Sequence, residues 1–401
     1  MEGTPNSILS ANQMPGLNIV FVYADAPAEW NVSQWRSLTP SNAFNRHQHL
    51  GWKAKLVHVS GFADFLSTQI QDIIMPADVV IFQRNILHQV LFDAITYYQG
   101  LGKPVVVDLD DAYQMLPWSN PAKNFWHITP FQNPKGEIKS RGSFEMLEEG
   151  LRLSNGLVSP NRLLLKDLEY VSGNSYYMQN YAEPEWWTNL PTRQKQKEER
   201  GLGDRIVIGW GGSVSHYDSF WGSGIREAAE RICRRHPNVV WLICGNDDRI
   251  YNQLPVSRTQ KARQMGVLPE QWPGIVMHFD IGVAPLSGPY DQRRSWIKGI
   301  EYLLGGIPWV ATTGEPYGDI ADLGTLVPNG VEAWEDALES KIIHLKQEQE
   351  RAESLIPLAR QSFIIDNQLN TLATVFNQIK ADFQAVHALP GIVRIGVPQN
   401  A

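Results

Sequence analysis

Short, continuously apolar runs alternate with amphipathic segments of helical period along most of the chain. Leu17–Tyr23, Lys55–Val59, Val79–Phe82 and Pro104–Asp108 predict strands; between them Arg36–Leu50, closed by Gly51, Phe62–Ile74 and His88–Gly100 predict helices. Helices over Phe144–Ser154 and Arg162–Val171 then flank strands at Leu157-Val158 and Tyr176–Met178. A strand that is apolar at every position is buried on both faces, and strand–helix alternation builds a parallel sheet with helices on either side. Around residue 204 the pattern restarts. Arg205–Trp210, Val239–Cys244, Ile275–His278, Ile281–Ala284 and Trp309–Ala311 predict strands; Phe220–Arg235, Gln292–Leu304 and Val331–Lys346 predict helices, with one or two more before residue 388.

Two such series give an α/β fold class: two Rossmann-like, doubly wound domains facing a cleft, where ligands of such folds bind. The expected organisation is a flexible tail over 1–16, a first domain over 17–182, a linker over 183–203, a second domain over 204–346, and C-terminal helices and tail over 347–401. The linker is placed by its charge density, Arg193 to Arg200, and by Gly201-Leu202-Gly203. Between Leu109 and Arg141 the pattern lapses into a loop with Pro117, Pro121, Pro130 and Pro134 and with Trp118 and Trp126, after a strand's carboxyl end.

A chain of 401 residues suits two cores rather than one. Its net charge of −7 argues against nucleic acid as the main partner. No apolar run approaches the roughly 20 residues needed to cross a bilayer, and residues 1–15 lack a basic-then-apolar leader. Cys233 and Cys244 sit in apolar stretches and read as buried free thiols rather than as a disulfide or metal pair. A cytoplasmic protein is expected.

Candidate chemistry concentrates after Ile281–Ala284. Arg294, Lys298 and Glu301 fall at i, i+4 and i+7 of the predicted helix, beside an apolar stripe of Ile297, Ile300 and Leu304. Two cations near a helix start suit a diphosphate, and a carboxylate suits ribose hydroxyls; a solvated charge stripe has the same spacing. Gly211-Gly212-Ser213, following a strand, has the character of a phosphate loop, with His216 as a further donor; a plain tight turn fits equally. In the first half, Asp108, Asp110 and Asp111 stand at a strand's end, and Arg84 follows another strand toward the same edge. These, with Trp118, are candidates for the acceptor side; helix capping is the bland alternative for the carboxylates.

The stretch Phe279-Asp280-Ile281-Gly282-Val283-Ala284-Pro285-Leu286, then Lys298-Gly299-Ile300-Glu301-Tyr302-Leu303-Leu304-Gly305-Gly306-Ile307-Pro308, resembles the group 1 glycosyltransferases, as do Gly314–Gly318 and Gly324–Val327. The resemblance covers about residues 205–345 and is looser before them. It implies the GT-B architecture, a nucleotide-sugar donor as substrate rather than any cofactor, transfer with retention and without metal, and a ribose-holding role for Glu301. Lys298, Glu301, Asp110 and Asp111 become the expected catalytic residues. Gly211, Gly212, Ser213, His216, Arg293, Arg294, Lys298 and Glu301 are the expected donor site; Arg84, Asp108 and Trp118 lie on the acceptor side. The acceptor would be a saccharide, a lipid-linked molecule or another small molecule. The chain departs from the family where many members carry a second glutamate; Arg293 stands there, and Arg293, Arg294 and Lys298 are expected to balance the diphosphate. Asp108 and Asp110 also match the Asp-x-Asp by which the other large transferase architecture holds a metal. Two strand–helix domains in series favour the metal-free reading. A nucleotide-sugar epimerase and a non-catalytic nucleotide-sugar-binding protein are the alternatives.

Overall fold

The structure is a computed structural model that describes residues 16–26, 31–128, 131, 132, 138, 139 and 142–387. The tail expected over 1–16 and residues 388–401 of the C-terminal segment lie almost wholly outside them, as do parts of the proline-rich loop.

The first sheet contains β1 (Asn18–Tyr23), β2 (Lys53–His58), β3 (Val79–Gln83), β4 (Val105–Asp108), β5 (Leu157–Ser159) and β6 (Ser175–Tyr177), in the spatial order 2-1-3-4-5-6. The second contains β7 (Ile206–Gly211), β8 (Val239–Cys244), β9 (Lys261–Gln264), β10 (Ile281–Ala284), β11 (Trp309–Thr312) and β12 (Thr325–Val327), in the order 9-8-7-10-11-12. Every pairing in both sheets is parallel. The strands β3 and β8 are buried at every position, as the apolar runs Val79–Phe82 and Val239–Cys244 require. Helices α1 (Thr39–Arg46), α2 (Gln89–Gly100), α3 (Ser143–Leu153) and α4 (Arg162–Ser172) belong to the first sheet's series; α5 (Ile225–Arg235), α6 (Ile297–Leu304) and α7 (Val331–Ile343) to the second's.

The chain passes between the sheets twice. At the crossing, Ala182 N donates to Phe363 O at 2.8 Å and Ile365 N to Ala182 O at 3.0 Å. The last helix, α8 (Leu369–His387), then returns to the first sheet: Phe376 packs edge-on against Phe21 with ring centres 6.1 Å apart, and Lys380 pairs with Asp78 at 2.7 Å. One apolar cluster runs through the junction, joining Phe21 and Ile81 of the first sheet to Trp296, Trp309 and Phe363. Among the described residues no helix is long and apolar enough to cross a membrane.

Several expected elements differ. Ile275–His278 is not a strand; Pro273 opens a short helix, Trp272–Val276, and the apolar run that suggested a strand is its buried end. The single helix expected over Phe220–Arg235 breaks at Gly224, which has φ +88° and whose missing Cβ would lie 2.7 Å from the Gly330 backbone. Arg36–Leu50 splits into a π-turn at Gln34–Leu38, α1 and a one-turn 3-10 segment. Strands β9 and β12 carry no continuous apolar run; β9, Lys-Ala-Arg-Gln, is a half-buried edge strand. The helix expected from Gln292 starts only at Ile297. The carbonyls of Gln292 and Arg294, which would have joined its ladder, accept instead from Asn161 at 2.9 and 2.8 Å.

Candidate functional site

In a parallel sheet the crevice for a ligand opens where strand order reverses, outside the carboxyl ends of the two strands concerned. In the second sheet those strands are β7 and β10, so the crevice walls are the loop Gly212–His216 and the segment from Pro285 to Trp296. In the first sheet they are β1 and β3, whose ends deliver Asp25 and Arg84. The two crevices face one another. Asn120 Nδ2 donates to Ser215 O at 3.0 Å, Ser119 bonds the Asp218 carboxylate, and the Arg294 guanidinium stands 3.9 Å from Asp111.

The glycine pair after β7 serves close approach. Neither Gly211 nor Gly212 has positive φ, so close approach and not a left-handed turn accounts for them. A Cβ on Gly211 would lie 2.0 Å from the Trp272 ring, and one on Gly212 2.8 Å from Trp210. Three amides of this loop are already engaged: Gly212 N donates to Cys244 O at 3.0 Å, His216 N to Ser213 O at 3.1 Å, and Ser215 N to Ser213 Oγ at 3.4 Å. An anion placed here would therefore meet side chains more than loop amides. Ser213, exposed, shares a hydrogen bond with Ser215 Oγ at 2.7 Å.

Those side chains converge on His216. Its Nε2 lies 2.9 Å from Arg294 Nη1 and 3.0 Å from Lys298 Nζ. Both neighbours are donors, so Nε2 accepts and the ring proton sits on Nδ1. That nitrogen is buried and has no hydrogen-bond partner among the described residues. Burial, then Arg294 and Lys298, hold the His216 pKa well below its ordinary value, so the ring stays neutral. Arg294 is not on the helix with Lys298; it lies in the turn before α6, where its Nε donates to Asp291 at 2.8 Å and its Nη2 to Ser215 O at 2.9 Å. Its guanidinium stacks 4.6 Å from the Tyr290 ring centre. Asp291 is fixed in turn by Ser219 Oγ at 2.7 Å and Ser287 N at 2.6 Å.

Glu301 lies one turn after Lys298 and is buried. Burial pushes its carboxyl pKa up, against the pull of Lys298 and a hydrogen bond from Trp272. Burial likewise pushes the Lys298 ammonium down, and Arg294 adds to that. A carboxyl group raised and an ammonium lowered by burial, one turn apart on α6, form a pattern met more often at functional sites than in structural ion pairs.

On the first-domain side Arg84 is paired with Asp25 and donates to Tyr113 Oη at 3.0 Å. It holds φ +37°, an unusual conformation for a residue with a side chain. Asp110 is buried beside it; burial, then Asp111, raise its pKa to about 8, against the influence of Arg84. Trp118 is 80% exposed, with Lys123 5.1 Å from its ring centre, on the loop whose next two residues reach the second domain. Two expected contacts are not available. Asp108 cannot meet an acceptor, because its carboxylate is buried against Arg36, at 2.6 Å from Nη2 and 2.9 Å from Nε. Arg293 does not join the cluster; it turns to the domain seam and pairs with Asp167 at 2.7 Å. Sequence reasoning missed Asp25, Tyr113, Asn120, Asn161, Tyr290 and Asp291. Asp25 follows a strand end and was findable on that ground; the others depend on tertiary placement.

No protein-family model matches the sequence, and no curated protein matches it. Solved structures do. A glycosyltransferase from Rickettsia africae superposes with a TM-score of 0.61 at 12% identity, over 91% of this chain and 98% of that one. The catalytic domain of starch synthase IV from Arabidopsis thaliana, bound to ADP and acarbose, gives 0.60 at 10% identity over 92% and 100%. HepE from Anabaena, in complex with UDP-glucose, gives 0.55 at 12% identity over 93% and 100%. The chain has the GT-B fold. At these identities the likeness is one of architecture, two Rossmann-like domains.

Proposed function

We propose that the protein is a glycosyltransferase that moves a sugar from a nucleotide-sugar donor to an acceptor hydroxyl, with retention of anomeric configuration and without a metal. The observation that carries the reading is the cluster of Arg294, Lys298 and neutral His216 at the second domain's switch point, with buried Glu301 one turn on. Bound UDP-glucose in HepE and ADP in the starch synthase domain lend it support by fold analogy. The diphosphate would take the place facing Arg294 and Lys298, with the His216 Nδ1–H as a ready donor. Ribose hydroxyls donating to Glu301 favour its ionised form and draw its pKa back toward the usual range.

In the reaction the bond from the anomeric carbon to the diphosphate oxygen breaks and one to the acceptor oxygen forms on the same face. The acceptor's proton passes to the departing phosphate oxygen. Negative charge on that oxygen grows toward the transition state, where the two cations and the His216 N–H are worth most. The acceptor, a saccharide, a lipid-linked molecule or another small molecule, would enter between Arg84, Asp110, Asp111 and Trp118. At neutral pH Asp110 would be largely protonated, and so placed to donate a hydrogen bond rather than to act as a base. The roles of Gly211, Gly212 and Ser213 are spatial: they keep the floor of the site low.

A panel of nucleotide sugars, screened by thermal shift and then assayed with chelator present, tests the reading. One donor is expected to raise the melting temperature by mass action. Nucleoside diphosphate should then appear in step with a glycosylated acceptor of unchanged anomeric configuration. An epimerised donor in the absence of acceptor would identify an epimerase instead, and binding without turnover a binding protein; loss of turnover on chelation would remove the metal-free part.

A further inference from the structure

Asn161 is completely buried at the end of β5, and its side chain serves both domains. Its Oδ1 accepts from Leu164 N at 2.9 Å and so caps α4 of the first domain. Its Nδ2 donates across the seam to the carbonyls of Gln292 and Arg294 at 2.9 and 2.8 Å and touches the Glu315 carboxylate. Glu315 reaches back. Its Oε1 accepts from Arg162 N at 3.1 Å, at the positive end of α4, while its own amide donates to Gln292 Oε1 at 3.0 Å. The seam around them is also polar: Arg162 pairs with Asp319 at 2.8 Å and Arg293 with Asp167 at 2.7 Å.

We propose that Asn161 is a positioning residue that makes the aim of Arg294 conditional on the two domains being docked. An amide carries two N–H groups, and here they are shared among the main-chain carbonyls either side of Arg293 and the Glu315 carboxylate. Those carbonyls are outside the α6 ladder. With the cleft open they pass to water, and the turn from Gln292 to Trp296 loses the restraint that holds the Arg294 guanidinium against Ser215, His216 and Asp291. The diphosphate-binding charge is thus assembled by closure, which keeps the leaving group's stabilisation for a site from which water is excluded. The inference rests on the donor-site reading of Arg294.

Two substitutions separate positioning from support. Asn161→Asp keeps size and the oxygen that caps α4 but replaces the amide donor with an oxygen that faces the two carbonyls and the Glu315 carboxylate. Asn161→Ala loses cap and donors together. Both are expected to lower kcat by about tenfold or more while changing the donor KM by less than about threefold, because the loss falls on transition-state geometry. Both should also enlarge the radius of gyration of the ligand-free protein in small-angle scattering and lower the melting temperature, the aspartate variant through a buried oxygen that faces two carbonyls and Glu315. An aspartate variant with parent-like kcat and parent-like scattering would overturn the proposal, leaving Asn161 as a cap alone. Scattering needs no substrate, so the two readings fail separately. Expanded variants of a parent that turns over no donor would uphold the tether and sink the donor reading.

Discussion

Replacing Arg294 by alanine is expected to lower kcat/KM for the donor by about a thousandfold, equivalent to about 4 kcal/mol of transition-state stabilisation. The size follows from two simultaneous losses. Arg294 would supply positive charge where the diphosphate leaves, and it also holds the loop Gly212–His216, through Ser215 O at 2.9 Å and Ser215 Oγ at 3.1 Å. The alanine variant further leaves the Asp291 carboxylate buried without its cation, so a negative charge would face the incoming phosphates. Arg294→Lys keeps the charge but not the planar fork that spans Asp291, His216 and Ser215; a loss of about thirtyfold is expected from it. Steady-state kinetics with saturating acceptor measure both. Parent-like kcat/KM in the two variants would mean that the cluster serves architecture alone.

Asp108 belongs to the opposite class. Asp108→Ala is expected to cost about 3–5 kcal/mol of folding stability, the range for breaking a buried ion pair by removing one partner. Arg36 would keep its contacts to Met178 O at 2.7 Å and Asn180 Oδ1 at 2.9 Å, but its charge would be uncompensated. Replacing both residues by leucine should recover much of that loss, since the desolvation of two ions goes with them. Denaturant titration measures the change, and turnover per folded molecule should stay within about tenfold of the parent. A stable Asp108→Ala protein that has lost turnover would return Asp108 to the acceptor site.

The fold was legible because it rests on burial that the sequence shows directly. Val79–Phe82 and Val239–Cys244 could be nothing but strands covered on both faces, and the restart of the pattern near residue 204 gave the second sheet. What escaped detection has a common cause. Lys261–Gln264 pairs at a sheet edge and needs no apolar run, and Ile275–His278 is apolar for the sake of a helix end that Pro273 opens. Lys298 and Glu301 were singled out through spacing and family resemblance, and the structure puts them one turn apart on α6. Arg294 was visible as a residue and misplaced as geometry, because the hydrogen bonds that keep its turn from being helical come from Asn161 in the other domain. Asp108 was misread for a similar reason: nothing local announces that Arg36, far earlier in the chain, takes up its carboxylate. Partners supplied from distant parts of the chain leave no periodic trace in the sequence.

The most direct test is a crystal structure of the protein with the nucleoside diphosphate of the donor that the panel selects. The account expects diphosphate oxygens within hydrogen-bond distance of Arg294, Lys298 and His216 Nδ1, and ribose hydroxyls on Glu301. A nucleotide bound elsewhere, or one seated in the cleft with Glu301 and the His216 cluster untouched, would contradict it.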